Sequence, residues 1–144
     1  MNILAEPITL LNLETFAQKL LPVIKHAHIA AFMGPLGSGK TTLIRALAHH
    51  MGITQPIVSP TFTYLSIYKI PDGTTLYHFD LYRLTSLTQF YDAGFNEYLN
   101  QPNSLVFVEW PELIRSLLPP TALLICLEYN NQNTDQRIIQ ILSP

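Results

Sequence analysis

The sequence predicts an α/β domain of three layers, built on a mixed, mostly parallel central sheet with a β-hairpin insertion. Three observations carry that expectation. The apolar run Ile29-Ala30-Ala31-Phe32-Met33 leads straight into Gly34-Pro35-Leu36-Gly37-Ser38-Gly39-Lys40-Thr41, which meets G-x-x-x-x-G-K-[ST] at every required position. Behind it Leu43, Ile44, Leu47, Ala48 and Met51 recur at helical spacing, and Gly52 stands where a C-terminal cap belongs. Further on, Leu105-Val106-Phe107-Val108 is a continuous apolar run, the pattern of a strand covered on both faces.

The remaining elements follow in order. Asn12 is placed to cap a helix whose apolar positions Leu13, Phe16, Ala17, Leu20, Leu21 and Ile24 form one stripe, with Pro22 expected to kink it or end it early. Residues 63–69 alternate as a strand, Pro71-Asp72-Gly73 supplies turn chemistry, and residues 76–80 read as the returning strand of a hairpin. Ser86 caps a short helix through Ala93, Gly94 ends it, and residues 95–99 add another turn or two. Pro111 sits where a first helical residue is expected, Leu113, Ile114, Leu117 and Leu118 give that helix a buried side, and Pro119-Pro120 stop it. Residues 122–129 and 137–142 form a closing strand pair around a polar turn at 130–135. No internal repeat, low-complexity tract or linker interrupts the chain, so residues 1–144 read as a single domain.

Composition narrows the function classes. With 144 residues, 48% hydrophobic and only 12% charged, the chain suits one domain with a sizeable core and is no disordered segment. Eight Lys plus Arg against ten Asp plus Glu leave a formal charge of −2, so no global field draws the protein to nucleic acid or an anionic membrane. Any RNA involvement is local or passes through a partner. The single cysteine, Cys126, lies in the apolar run 122–127, reads as a buried thiol, and cannot form an internal disulfide. The N-terminus lacks a basic region followed by an apolar segment, and no 18-residue apolar run occurs, so the expected setting is cytoplasmic, without a membrane.

The glycine-rich stretch has the chemistry of a phosphate-binding loop. Gly37, Ser38 and Gly39 let successive backbone N–H groups turn inward on a β-phosphate, and the following helix adds its positive N-terminal end. Lys40 then reaches the β- and γ-phosphates and the Thr41 hydroxyl holds Mg²⁺, which makes ATP with Mg²⁺ the expected ligand of a P-loop NTPase-like domain. Such a loop needs acidic partners, because Mg²⁺ prefers oxygen and an attacking water must be oriented or deprotonated. Glu109 ends the apolar strand at the position of a Walker B acid, beside Thr41 at the carboxyl edge of the sheet. Asp80 ends the run Leu76-Tyr77-His78-Phe79 and reads either as a second metal contact or as a solvated strand-end charge. His78 reads as a structural histidine, and Arg83 as a partner for a carboxylate or a phosphate. His49 and His50, at the end of the loop's helix, read as cations or donors for its last carbonyls.

Taken together these residues carry a resemblance. Gly34-Pro-Leu-Gly-Ser-Gly-Lys-Thr-Thr42, Val58-Ser-Pro-Thr-Phe-Thr63, Tyr77-His-Phe-Asp-Leu-Tyr-Arg-Leu84, Gly94 with Glu97-Tyr98, and Val108-Glu-Trp-Pro-Glu112 occur in order at short intervals. The chain thereby resembles the TsaE family, small bacterial ATPases required for threonylcarbamoyladenosine modification of tRNA, over nearly its whole length. The resemblance implies work with the TsaD–TsaB pair, where TsaD transfers the threonylcarbamoyl group to adenosine 37 of tRNAs reading codons that begin with A. The family protein binds and hydrolyses ATP while attached to those partners and resets the complex between turnovers, so tRNA is engaged through the complex. Carried over residue by residue, the pattern implies Lys40 on the phosphates and Thr41 on Mg²⁺. It also implies Asp80 at the metal and its water, Glu109 in the Walker B role, Thr42 as a further hydroxyl near the nucleotide, and Trp110 associated with activity. Ser59 to Thr63 correspond to a nucleotide-sensing switch.

Two departures stand out: Thr85-Ser86-Leu87-Thr88-Gln89 carries no carboxylate where many relatives are acidic, and Pro35 replaces a common acidic residue. Two rival readings remain, a small-molecule kinase and a nucleotide-gated binding module. The kinase is disfavoured because Arg45, Arg83, Arg115 and Arg137 are scattered and no lid-sized insertion is present.

Overall fold

In the computed structural model, which describes residues 2–60 and 62–143 and side chains from Glu6 on, seven strands form one sheet. In chain order they are β1 (Asn2–Ile8), β2 (Ile29–Met33), β3 (Leu65–Lys69), β4 (Thr75–Asp80), β5 (Ser104–Glu109), β6 (Leu123–Tyr129) and β7 (Arg137–Leu142). Helices α1 (Leu13–Ala27), α2 (Lys40–His50) and α3 (Leu87–Asp92) join them, with 3-10 turns at Phe95–Asn100 and Glu112–Leu117. Across the sheet the order is β1-β7-β6-β2-β5-β4-β3. The central strands β6, β2, β5 and β4 run parallel, while β7 and β3 run against their neighbours. β1 pairs antiparallel to β7 and so points the same way as the central four. The sheet is mixed and mostly parallel, as predicted, and the hairpin is not an appendage: its second strand, β4, is a full member of the parallel core.

Strand alternation divides the apolar residues between two cores. Ala30 and Phe32 of β2, with Leu105 and Phe107 of β5, face α1 and α2, where Phe16, Leu20, Ile24, Leu43, Ile44 and Leu47 meet them. Ile29 and Ala31, with Val106 and Val108, face the other way onto Phe79, Phe90 and Ile114. Every residue of β5 is buried, which is why its sequence reads as an unbroken apolar run rather than an alternating one.

Several local expectations are corrected. Helix α1 neither ends nor breaks at Pro22 but continues to Ala27. Pro22 and Gln18, whose carbonyl loses its intrahelical donor, both lie on the exposed face, which leaves that carbonyl open to solvent. A proline in a helix interior costs about 3 kcal/mol, which the burial of Phe16, Leu20 and Ile24 offsets at about 1.5–3 kcal/mol each. Asn12 does not cap α1 with its side chain; its Oδ1 accepts from the Thr9 N–H at 2.7 Å and closes the preceding turn instead. β1, which the sequence analysis does not anticipate, is an edge strand carrying Pro7, a residue tolerated where no outer neighbour needs its N–H. β3 starts at Leu65 because Tyr64 adopts a left-handed φ of 60°. The segment after Pro111 winds as 3-10 rather than α-helix. Cys126 is half-buried, not fully enclosed, and burial pushes its thiol pKa up. Gly52 takes the left-handed φ of 83° expected just beyond α2, and Ser86 caps α3 by accepting from Gln89 N–H at 3.2 Å. Among the described residues no helix is long and apolar enough to cross a membrane.

Candidate functional site

The site lies at the carboxyl edge of the parallel strands, where β2 turns through the glycine-rich loop into α2. The turn can be made only without side chains at its pinch points. At Gly34, with φ of 141°, an added Cβ would stand 2.2 Å from the Leu127 carbonyl oxygen and 2.8 Å from Ser38 Oγ. Gly37 and Gly39 also take positive φ, at 75° and 102°. The Tyr129 hydroxyl donates to the Leu36 carbonyl, tying the loop's tip to the end of β6. Because the residue before α2 is Gly39, no side chain caps the helix, and the N–H groups of its first turn lack a side-chain acceptor. Ser38 Oγ is buried with no hydrogen-bond partner. A side-chain-free cradle, an uncapped helix N-terminus and an orphaned buried hydroxyl together fit a phosphate group.

Lys40 opens α2 and is almost wholly buried; its Nζ donates to the Gly34 carbonyl at 2.7 Å and the Pro35 carbonyl at 3.0 Å. The ammonium also stands 4.0 Å from the centre of the Trp110 ring. Burial lowers its pKa, against the opposing pull of Glu109, Asp80 and Glu112. Trp110 reaches this place through a left-handed φ of 57° immediately after β5, and its ring also meets Tyr82 at 4.8 Å.

Glu109, the last residue of β5, is only 2% exposed. Its carboxylate accepts from Thr41 Oγ1 at 2.6 Å, from Ser59 Oγ at 3.2 Å and from His78 Nε2 at 2.7 Å. Burial pushes the Glu109 pKa up, but the bonds from His78, Thr41 and Ser59 outweigh it, and the net shift is downward. Thr41 Oγ1 and Ser59 Oγ are themselves 2.9 Å apart. Two hydroxyls own two protons, yet the triangle has three oxygen–oxygen contacts, so one of them has no proton to share. A divalent cation resolves such a surplus of oxygen lone pairs, and an all-oxygen donor set is what Mg²⁺ prefers.

Asp80 ends β4 directly opposite Glu109 in the sheet register. Its Oδ1 accepts from the Tyr82 N–H at 3.1 Å; burial and, more weakly, the Glu109 charge push its pKa up against that bond. Lys40, Thr41, Ser59, Asp80, Glu109 and Trp110 line one cleft of about 240 Å³. Gly37, Gly39 and Thr42 border both this cleft and a second one of about 550 Å³ on the far side of the loop, floored by Leu127 and edged by Leu10, Leu11, Asp135 and Arg137. Thr42 therefore sits between the two clefts.

Of the residues singled out from sequence, Lys40, Thr41, Thr42, Asp80, Glu109 and Trp110 thus meet at one cleft, while His49 and His50 lie at the far end of α2. Two contacts were not foreseen. His78, read as structural, is fully buried and holds Glu109, while its Nδ1 has no partner. A signal existed: His78 and Asp80 are two apart on one strand and share the face that carries α2. Ser59 lay within the switch segment but without an assigned contact; of that segment, Thr61 falls outside the described residues, and Phe62 is exposed with the Arg83 guanidinium 5.5 Å from its ring centre.

This fold and loop define a protein of the P-loop NTPase class. The sequence profile described as "Threonylcarbamoyl adenosine biosynthesis protein TsaE" matches residues 9–139, and the chain belongs to the TsaE family. Relatives carrying the name tRNA threonylcarbamoyladenosine biosynthesis protein TsaE include one from Rickettsia felis, 38% identical over 128 residues that cover 88% of this chain and 72% of the relative. Another, from Haemophilus influenzae, is 34% identical over 129 residues, 89% of this chain and 78% of the relative. The crystal structure of YdiB from Bacillus subtilis superposes with a TM-score of 0.70 at 26% identity, covering 99% of this chain and 87% of that one.

Proposed function

We propose that the chain binds ATP with Mg²⁺ on the loop at residues 34–41 and hydrolyses it to ADP and phosphate. It does so as an accessory of the TsaD–TsaB pair in threonylcarbamoyladenosine formation on tRNA. The pathway follows from the family. The nucleotide chemistry rests on one observation above all: Thr41 Oγ1 stands 2.6 Å from the buried Glu109 carboxylate, in the same cleft as Lys40 and Asp80.

Each residue then has a task. The loop amides of Gly37, Ser38 and Gly39 and the first turn of α2 receive the phosphates, with the Ser38 hydroxyl supplying a buried donor. Lys40 exchanges its two loop carbonyls for phosphate oxygens, and Thr42 borders the cleft that takes the nucleoside. Thr41, Ser59, Glu109 and Asp80 supply the oxygens that would hold Mg²⁺, whose contribution when bound is to neutralise charge on the phosphates. Glu109, ionised at neutral pH, orients the attacking water and draws on its proton. Asp80, which lines the same cleft as Thr41 and Glu109, contributes chiefly through the metal. His78 fixes the Glu109 carboxylate from beneath, so it acts as a positioning residue rather than through contact with nucleotide.

Glu109→Gln tests this division. Size is kept while charge, basicity and one of the two accepting oxygens are lost, so ATP binding should persist and hydrolysis should fall by roughly 10²-fold or more. In a reconstituted reaction with TsaD, TsaB and tRNA, the variant should support about one round of modification per complex. Normal multiple turnover by the variant would favour the nucleotide-gated binding module instead, as would full activity with a nonhydrolysable ATP analogue.

A further inference from the structure

A second constellation lies at the other end of α2. Glu14, in the first turn of α1, faces the two histidines that close α2: its Oε2 is 3.4 Å from His49 Nδ1 and 2.9 Å from His50 Nε2. The three ligand atoms all lie within 4.8 Å of one another. Donors about 2.0–2.1 Å from a tetrahedral zinc ion are separated from each other by about 3.3 Å, so the spacing is that of a site needing only small side-chain adjustment.

The pair distances alone would suit a simple His–carboxylate ion pair. The geometry of His50 argues otherwise. Its Nε2 is shut off from solvent and lies 2.9 Å from Glu14 Oε2, yet the two make no hydrogen bond, because the ring nitrogen is not aimed at the oxygen. A nitrogen this close to a carboxylate but directed away from it is placed to share a third centre. We propose that Glu14, His49 and His50 hold a borderline first-row divalent ion, zinc by their donor set. Two imidazole nitrogens and one carboxylate oxygen suit zinc and disfavour Mg²⁺. Glu14 and His49 are exposed at 57% and 76%, which leaves the fourth position open to water. Lys40 to His50 spans about 15 Å of helix, so this ion does not reach the phosphate loop. Its effect is to clip the start of α1 to the end of the helix that the loop opens.

The test is titration of zinc chloride alone into the untagged, chelator-treated full-length chain, followed calorimetrically. One equivalent should bind, millimolar Mg²⁺ should not displace it, and Cys126→Ser should bind equally well. Glu14→Gln and His50→Ala should each weaken binding by about tenfold or more, and the Co²⁺-loaded chain should lose its visible absorption in both. Absence of stoichiometric zinc uptake, uptake abolished by Cys126→Ser, or uptake unchanged in Glu14→Gln and His50→Ala would overturn the proposal. If His50→Ala fails to fold, the exposed Glu14→Gln and His49→Ala decide the matter.

Discussion

Lys40 is a buried cation held by two carbonyls of its own loop and by the face of Trp110. Burial outweighs the pull of the neighbouring carboxylates and lowers its pKa, so the lost attraction is offset by relieved desolvation, and Lys40→Ala should fold with little change in stability. Phosphate binding, by contrast, loses its principal cation, and hydrolysis should become undetectable in a standard phosphate-release assay. Trp110 is the only tryptophan, so its emission should shift on titration with Mg-ATP in the natural chain and stay flat in Lys40→Ala. Equal hydrolysis in a folded Lys40→Ala protein would remove the phosphate-loop role. Asp80 and Glu109 differ in the opposite senses of their shifts. Glu109, depressed, contributes stability that is present above its unfolded value of 4.5 and is lost as pH falls through its lower folded pKa. Asp80, raised, penalises the folded state at neutral pH; that penalty fades as pH falls through its folded pKa and vanishes below its unfolded value of 3.8. Asp80→Asn should therefore melt at a higher temperature than the natural chain at pH 7, with the difference closing in acid, while Mg²⁺-dependent nucleotide binding weakens. A variant less stable at pH 7 would show that the Tyr82 bond outweighs burial.

At the scale of elements, the loop and α1 make opposite use of restricted backbone. Gly34 admits no side chain because the Leu127 carbonyl occupies the space, and that close approach locks the loop against β6. Helix α1 instead carries a proline that its buried stripe outweighs. Pro22→Ala should restore the bond to the Gln18 carbonyl, and after subtracting the greater freedom of the unfolded chain the net gain should be about 1–2 kcal/mol. Urea denaturation measures this directly, and a loss of stability would show that the proline's rigidity matters more than the missing bond. Much of this level was legible along the chain: α2, α3, the hairpin turn and the buried β5 follow from spacing and caps that lie within a few residues. The 3-10 winding after Pro111 and the missing Asn12 cap were not, since both depend on where neighbouring strands deliver the chain.

For the whole molecule, the decisive feature is a sheet covered on both faces. Phe107 is wholly buried on the face under α1 and α2 and meets Phe32 edge-on at 5.4 Å. Phe107→Ala should cost about 3–5 kcal/mol, a large part of the 5–15 kcal/mol that holds a typical domain, and a shifted urea midpoint would report it. A cost under 1 kcal/mol would mean the core can collapse onto the gap. The same packing aligns Phe107 and Glu109 on one face, so the core beneath the site also aims its carboxylate.

Local chemistry was written in the sequence itself: the phosphate loop with Lys40 and Thr41, the two strand-end acids Asp80 and Glu109, and the apolar runs that feed them. Each is a pattern of neighbours, and neighbours constrain one another through backbone sterics and short hydrogen bonds whatever the rest of the chain does. The tertiary structure alone decided the strand order, the edge strand β1, and the convergence on Glu109 of Ser59 and His78, separated from it by 50 and 31 residues. Such contacts have no signature in spacing, because burial on both faces of a twisted sheet, not chain proximity, brings those groups within reach and excludes the water that would otherwise satisfy them.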